Sequence, residues 1–121
     1  MNNIQKPKTG FSRLFAAAKY SIKGLKFTIR DEEAFRLEIY VSIILIPLAI
    51  YLSKTKIELI LMIAVIFLVW IAELLNTAIE AVVDKTGEDI HPLAEKAKDV
   101  GSAAVFTAMV LLAFVWFVIL V

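Results

Sequence analysis

The stretch from Ala72 to Val105, AELLNTAIEAVVDKTGEDIHPLAEKAKDVGSAAV, carries the polar groups around which the rest of the chain is organised. It leaves an apolar run through four polar side chains, Glu73, Asn76, Glu80 and Asp84. On a helix these four positions lie within roughly 80° of one another. Three carboxylates and an amide therefore share one face of a helix that would otherwise be lipid-soluble. Ionisable groups in such a place are energetically expensive and by default mark a functional site.

The 121-residue chain has the composition of a small integral membrane protein. It is 60% hydrophobic with a mean hydropathy of +0.81, whereas soluble domains are about 45–50% apolar. The formal net charge of +1 argues against nucleic acid as a partner, and the absence of cysteine excludes disulfides, thiolate-held metals and thiol chemistry. The basic N-terminal region lacks the apolar core of a signal peptide, so we expect it to stay on the cytoplasmic side.

Apolar periodicity predicts an all-α integral membrane fold, with residues 1–121 forming a single membrane domain. A basic amphipathic segment comes first, and this pattern is typical of helices that lie in the membrane interface. Three apolar segments follow that are long enough to span a bilayer. The predicted elements are an interfacial helix at 10–29, transmembrane helices at 32–52, 57–84 and 97–121, and a polar connection at 85–95. Trp116 is expected to anchor the last helix at an interface.

The basic residues predict the orientation. Eight Lys or Arg precede Ile39, and three more lie at the second connection, so the N-terminus and this connection should be cytoplasmic. Glu73 is then about 24 Å along its helix from Ile57, close to the cytoplasmic edge of a hydrocarbon core of about 30 Å. Glu80 is about 10 Å further along, at the water boundary. A lipid headgroup and a water-soluble metabolite could therefore meet along this face, which favours an interfacial enzyme over a pore.

Short connections make the helices antiparallel neighbours, so their carboxylates should gather at the cytoplasmic end. Glu32 and Glu80 can hold a hard cation that also takes phosphate oxygens, an arrangement that Mg²⁺ prefers. Lys98 can act as a point charge on a phosphate. The deeper Glu73 can take a proton from a lipid hydroxyl.

Structural interpretations of the same residues remain open. Glu73 could pair with Lys98 or Asn76 to hold helices together, and an amide such as Asn76 is a common bond between membrane helices. The small residues at 101–102 could simply permit close helix approach. Asp84 could merely solvate a helix end, and the lone histidine, His91, could be structural.

Two non-enzymatic functions are alternatives. A small channel or carrier would need a polar path, but Ile57–Ile71 contains only one charged residue, Glu58, near its outer end. An assembly subunit would leave the shared carboxylate face unexplained. The chain also lacks the GxxxxGK[ST] and GxGxxG nucleotide loops.

The segment 73–84, ELLNTAIEAVVD, resembles the E-x-[LIVM]-N-[ST]-[SA]-[LIV]-E-x-x-V-D signature of the prokaryotic diacylglycerol kinase family. KDVGSAAV at 98–105, YSIKGL at 20–25 and EEAFR at 32–36 resemble the same family. The resemblance extends over essentially the whole chain.

This resemblance implies a homotrimeric lipid kinase of the bacterial inner membrane with active sites shared between protomers. The family transfers the γ-phosphate of ATP, taken as its Mg²⁺ complex, to diacylglycerol and gives phosphatidic acid. Glu73 would be the catalytic base, and Glu32 and Glu80 the metal ligands. The nucleotide would be bound by Arg13, Tyr20, Glu32, Glu80, Asp89, His91, Lys98 and Asp99. The lipid acceptor would be bound by Arg13, Glu73, Asn76 and Ser102.

The sequence indicates two candidate lipid alcohols as the phosphate acceptor. ELLNTAIE at 73–80 and HPLA at 91–94 resemble the undecaprenol kinase branch, whereas AVVD at 81–84 and GSAA at 101–104 favour the diacylglycerol branch. Leu37 stands where close diacylglycerol-specific relatives have Gln, and Ala16 where the family has Lys. We favour diacylglycerol, with undecaprenol as the alternative acceptor.

Overall fold

The computed structural model describes residues 9–87 and 91–121, and within these residues the chain forms α-helices joined by short connections. The helices are α1 (Gly10–Asp31), α2 (Glu33–Leu52), α3 (Lys56–Thr86) and α4 (Pro92–Leu120). The prediction of an all-α fold is confirmed. Of these helices, α2, α3 and α4 are long and apolar enough to cross a membrane.

A single non-helical residue, Glu32, forms the corner between α1 and α2, with φ −114° and ψ 110°. The Nη1 of Arg36 donates to the carbonyls of Ile29 at 2.9 Å and Arg30 at 2.7 Å. The last carbonyls of a helix lack partners within it, so Arg36 both caps α1 and ties it to the start of α2. This contact holds the corner, and with it Glu32, in place.

Helix α3 has a defined start and end. Thr55 Oγ1 accepts from the backbone N–H of Glu58 at 3.1 Å, and the Glu58 carboxylate accepts from the N–H of Lys54 at 2.8 Å, which is close to a capping box. The helix ends at Thr86, and the next residue, Gly87, has a φ of 69°, in the left-handed region that favours glycine.

The predicted bounds of the polar connection, 85–95, are wrong at both ends. Helix α3 continues to Thr86, and α4 begins at Pro92, five residues before the predicted start at residue 97. His91 caps α4, because its Nδ1 accepts from the N–H of Leu93 at 3.0 Å, and Pro92 occupies the first turn, where its missing N–H costs nothing. Polarity suggested a loop here, but these are helix ends that extend beyond the apolar segment.

The main core lies between α3 and its neighbours. It contains the buried residues Ala49, Met62, Val65, Ile66 and Trp116. The prediction that Trp116 anchors an interface is wrong, since this side chain is 8% exposed and its Nε1 donates to the carbonyl of Met62 at 3.2 Å. The indole therefore joins α4 to α3 inside the core.

Much of the apolar surface is open in the single chain. Phe11 is 81% exposed and Phe15 is 74% exposed on α1, and Phe106 is 68% exposed on α4. On α1 these aromatic rings alternate with exposed basic residues such as Arg13 and Lys19. These surfaces need lipid or a neighbouring chain to cover them.

Candidate active site

The corner between α1 and α2 brings Glu32 opposite the polar face of α3. Glu32 and Glu80 line one cavity of about 380 Å³, together with Thr77 and Asp84. Glu73, Asn76 and Glu80 follow one another along α3 on the predicted face. Glu73 and Glu80 follow Glu32 by 41 and 48 residues in the chain, yet all three carboxylates lie at the same end of the bundle.

The carboxylates crowd one another. Burial raises the pKa of Glu32, and the charges of Glu80 and Glu73 raise this pKa further. A cation placed among these groups would relieve both the repulsion and the cost of burying charge. Crowding of this kind is typical of a site that works with a bound cation.

The donor set suits a partly hydrated cation. Among residues 9–87 and 91–121, no three Asp, Glu or His side chains are close enough to hold a metal by themselves. Mg²⁺ is commonly held by one or two carboxylates, with waters and phosphate oxygens completing its octahedron. Glu32 and Glu80 fit that role.

A second carboxyl group, Glu38 of α2, lies against Glu73. Glu73 is only 7% exposed, and both Glu38 carboxylate oxygens are buried without a hydrogen-bond donor in the described part of the chain. Glu73 of α3 is close enough for the two carboxyl groups to affect each other electrostatically. A pair of buried or half-buried carboxyl groups therefore lies at the apolar end of the polar face.

Sequence reasoning did not include Glu38 among the site residues. The signal was present, since an ionisable residue within an apolar helix is a functional candidate by default.

Asn76 connects α3 to α4 as well as to Glu80. Its Nδ2 donates to Glu80 Oε1 at 3.3 Å, and its buried Oδ1 has no donor within the described residues. Gly101 lies against this amide, and a Cβ at residue 101 would collide with the Asn76 side chain. The interpretation that Gly101 permits close helix approach is confirmed, while the next residue, Ser102, is exposed.

Lys98 of α4 pairs with Asp84 of α3, with 2.8 Å between Nζ and Oδ1. The interpretation that Asp84 merely solvates a helix end is wrong, because this residue joins two helices at the edge of the Glu32–Glu80 cavity. Lys98 is held where a phosphate could reach it.

Two of the remaining predicted residues lie far from Glu32 along α1. Arg13 and Tyr20 are exposed on α1 and precede Glu32 by about 28 Å and about 18 Å along the helix. His91 and Asp99 are exposed near the start of α4. Asp89 lies outside the described residues. A single chain therefore unites the carboxylates, Asn76 and Lys98, but not the α1 residues.

Comparison with known proteins identifies the family. The family model described as prokaryotic diacylglycerol kinase matches residues 19–120. The chain is 49% identical over 108 residues to the diacylglycerol kinase of Haemophilus influenzae, covering 89% of this chain and 92% of the relative. It is 44% identical over 115 residues to the diacylglycerol kinase of Pseudomonas aeruginosa, covering 95% and 94%. It is 43% identical over 112 residues to the diacylglycerol kinase of Escherichia coli K12, covering 93% and 92%.

The matches to relatives span most of both proteins in each comparison, and the match to the family model runs from within α1 to the end of α4. The resemblance seen in the sequence is confirmed, and the chain belongs to the prokaryotic diacylglycerol kinase family.

Proposed function

We propose that this protein is an ATP-dependent diacylglycerol kinase that makes phosphatidic acid at the cytoplasmic face of the bacterial inner membrane. The observation that carries the proposal is the gradient along one face of α3. Glu73 is buried at the apolar end, and Glu80, with Glu32 beside it, lies about 10 Å nearer the polar end. The relatives named above are diacylglycerol kinases, which favours diacylglycerol over undecaprenol as the acceptor.

Glu73 takes the proton of the lipid hydroxyl as the hydroxyl oxygen attacks the γ-phosphorus. The new bond is between this oxygen and phosphorus, the bond to the β–γ bridging oxygen breaks, and ADP leaves. Positioning and charge stabilisation dominate phosphoryl transfer. The burial of Glu73 serves a separate purpose, which is to keep water away from the reacting oxygen. Glu38 lies near the base, with both of its carboxylate oxygens buried.

Glu32 and Glu80 are the residues that would hold Mg²⁺, which supplies charge neutralisation on the phosphates when bound. Asn76 orients Glu80 through its 3.3 Å hydrogen bond. Lys98, placed by Asp84, contributes a positive charge to the phosphate side.

A homotrimer with shared sites accounts for the residues that one chain leaves apart. Arg13 and Tyr20 are far from their own Glu32, so they would bind nucleotide or lipid at the site of a neighbouring protomer. The exposed apolar faces of α2 and α4 provide surface for such packing. Helix α1 would lie on the cytoplasmic membrane surface with its basic residues among the headgroups.

The test is phosphate transfer from radiolabelled ATP in mixed micelles, with diacylglycerol and undecaprenol offered in parallel. We expect labelled phosphatidic acid, and Glu73→Gln should lower turnover by about 10²–10⁴-fold because it removes the base. Glu58→Gln, a carboxylate change at the other end of the same helix, is the matched control and should retain activity. Labelling of undecaprenol alone would reassign the acceptor, and labelling of neither lipid would refute the kinase.

A further inference from the structure

A cavity of about 330 Å³ lies between α2, α3 and α4 beside the carboxyl pair. Its wall is apolar except for Glu38 and Ser42, and it includes Trp70. Trp70 precedes Glu73 by three residues, so it lies one turn, about 4.5 Å, deeper in the apolar part of the same helix. The cavity therefore begins where the catalytic carboxyl group is held and extends away from the polar end.

The chemistry of this cavity fits one end of a lipid alcohol. Its polar rim consists of buried Glu38 oxygens that lack a donor in the described part of the chain, and a hydroxyl group is a donor of suitable size. The rest of the wall suits methylene groups. Its volume is near the lower limit of ligand pockets, about 300 Å³, so it has room for the glycerol carbons and the first chain segments but not for two whole chains.

Trp70 is held rigidly in this wall. Its Nε1 donates to Ser42 Oγ at 2.9 Å, and Ser42 Oγ donates to the carbonyl of Glu38 at 2.6 Å. The indole also makes edge contacts with Phe35, at 6.0 Å between ring centroids, and Phe67, at 5.2 Å. Phe35 is fully buried. A ring fixed by α2 and by its own helix cannot move aside cheaply for a bulky ligand.

We propose that Trp70, braced by Ser42, determines acceptor specificity by limiting the bulk of the chain next to the reacting hydroxyl. This inference rests on the proposed function, because it places the lipid hydroxyl at Glu73 and the first chain carbons against the indole. Unbranched chains fit beside the ring, and a branch close to the glycerol collides with it.

The experiment compares two diacylglycerols of equal chain length, one unbranched and one with a methyl branch at the third carbon of each chain. The parent protein should prefer the unbranched lipid. Trp70→Leu should shift the ratio of the two kcat/KM values toward the branched lipid by about tenfold or more, the lower end of the range for one methyl or methylene group in an apolar pocket. Phe114→Leu removes an exposed aromatic ring from α4 and should leave this ratio unchanged.

The outcomes separate this inference from the function on which it rests. No labelling of either lipid by the parent protein would refute the kinase. An active parent together with an active Trp70→Leu variant of unchanged ratio would refute the role of Trp70.

If Trp70→Leu is inactive with both lipids, Trp70→Phe tests the same wall with a smaller ring, and direct occupancy supplies a second measurement. In a Trp116→Phe background, diacylglycerol brominated near the glycerol should quench the fluorescence of Trp70 more strongly than phosphatidylcholine brominated at the same carbons. Equal quenching by both lipids would mean general lipid contact, and no quenching would mean that a neighbouring protomer fills the cavity. Either result would overturn the proposal.

Discussion

The two halves of α3 differ in whether the buried polar groups around them have hydrogen-bond partners. In the half that contains Met62 and Ile66, the described side chains form a closed apolar core, and the indole of Trp116 donates its one hydrogen bond to a backbone carbonyl. In the half that contains Glu73, buried acceptors on Glu38 and Asn76 have no donor within the described residues. Buried polar groups are almost always paired in proteins. The difference indicates that one half of the helix holds the bundle together while the other keeps polar capacity for ligands.

After the loss expected for Glu73→Gln, the next largest effect is expected at the proposed nucleotide site. Glu80→Gln keeps the shape and the contact with Asn76 but removes a negative charge from the proposed cation site. We expect kcat/KM for MgATP to fall by about 10- to 100-fold, the loss typical of a hydrogen bond or ligand contact to a charged group. Steady-state kinetics against MgATP at saturating diacylglycerol measures this change.

The melting temperature of the same Glu80→Gln variant, followed by intrinsic tryptophan fluorescence in detergent, serves as the control. It should not fall. Unchanged affinity and turnover would remove Glu80 from the site.

A core substitution should give the opposite pattern. Met62→Ala removes a fully buried side chain from the other half of α3. In lipid the cost is mainly lost packing, because the unfolded helices also lie in an apolar medium, so we expect a loss of about 2 kcal/mol, the lower end for core truncations. The melting temperature should fall while kcat/KM measured well below it stays within about twofold. A large loss of activity without a loss of stability would mean that the two halves are not separate in function.

Gly101 affects both the packing of α4 against α3 and the proposed active site. Gly101→Ala would drive a methyl group into the Asn76 amide, so Asn76 must move and Glu80 loses the partner that orients it. We expect a destabilisation of about 1–3 kcal/mol, as for overpacked sites, together with a rise in KM for MgATP.

Gly24→Ala in α1 is the matched control, because nothing lies within 4 Å of the added methyl group. Replacing glycine within a helix should raise stability there by about 0.5–1 kcal/mol. If Gly101→Ala behaved like Gly24→Ala, the contact between α3 and α4 would be looser than described.

The predictable part of this site is the part that lies on one helix. Periodicity alone aligned Glu73, Asn76 and Glu80, because a helix fixes the angle between its own residues. Partners on different helices depend on how each helix is rotated about its axis, which the sequence pattern does not specify. The Glu38–Glu73 contact and the Ser42–Trp70 hydrogen bond are of this kind, and neither was predicted.

Helix ends were predictable only where the apolar segments also ended. The start of α4 at Pro92 depends on capping by His91, a local hydrogen bond that outweighs the polarity of the residues that follow. Arg13 and Tyr20 stay predictions, because both are exposed on α1 and lie about 28 Å and about 18 Å along that helix from Glu32.

The smallest effect expected is a gain in stability at the polar end. In the folded protein the pKa of Glu32 is raised by burial and by Glu80 and Glu73, so its ionised form disfavours folding. The stabilisation from protonated Glu32 is complete below the ordinary carboxyl pKa of 4.5 and is lost as the pH rises through the raised value. Glu32→Gln removes this ionisation, so without Mg²⁺ the variant should melt about 1–3 °C above the parent at pH 7.5. Near pH 4.5 the difference should shrink.

Magnesium should reverse this order, since only the parent retains both carboxylates for the cation. Melting curves at both pH values, recorded with EDTA and then with excess Mg²⁺ and a non-hydrolysable ATP analogue, test the sign. A variant that is less stable than the parent at both pH values without metal would show that the Glu32 carboxylate stabilises the corner between α1 and α2. Glu32 at the polar end would then stabilise the folded state, as the core residues of α3 do. The difference described between the two halves of α3 would not hold for Glu32.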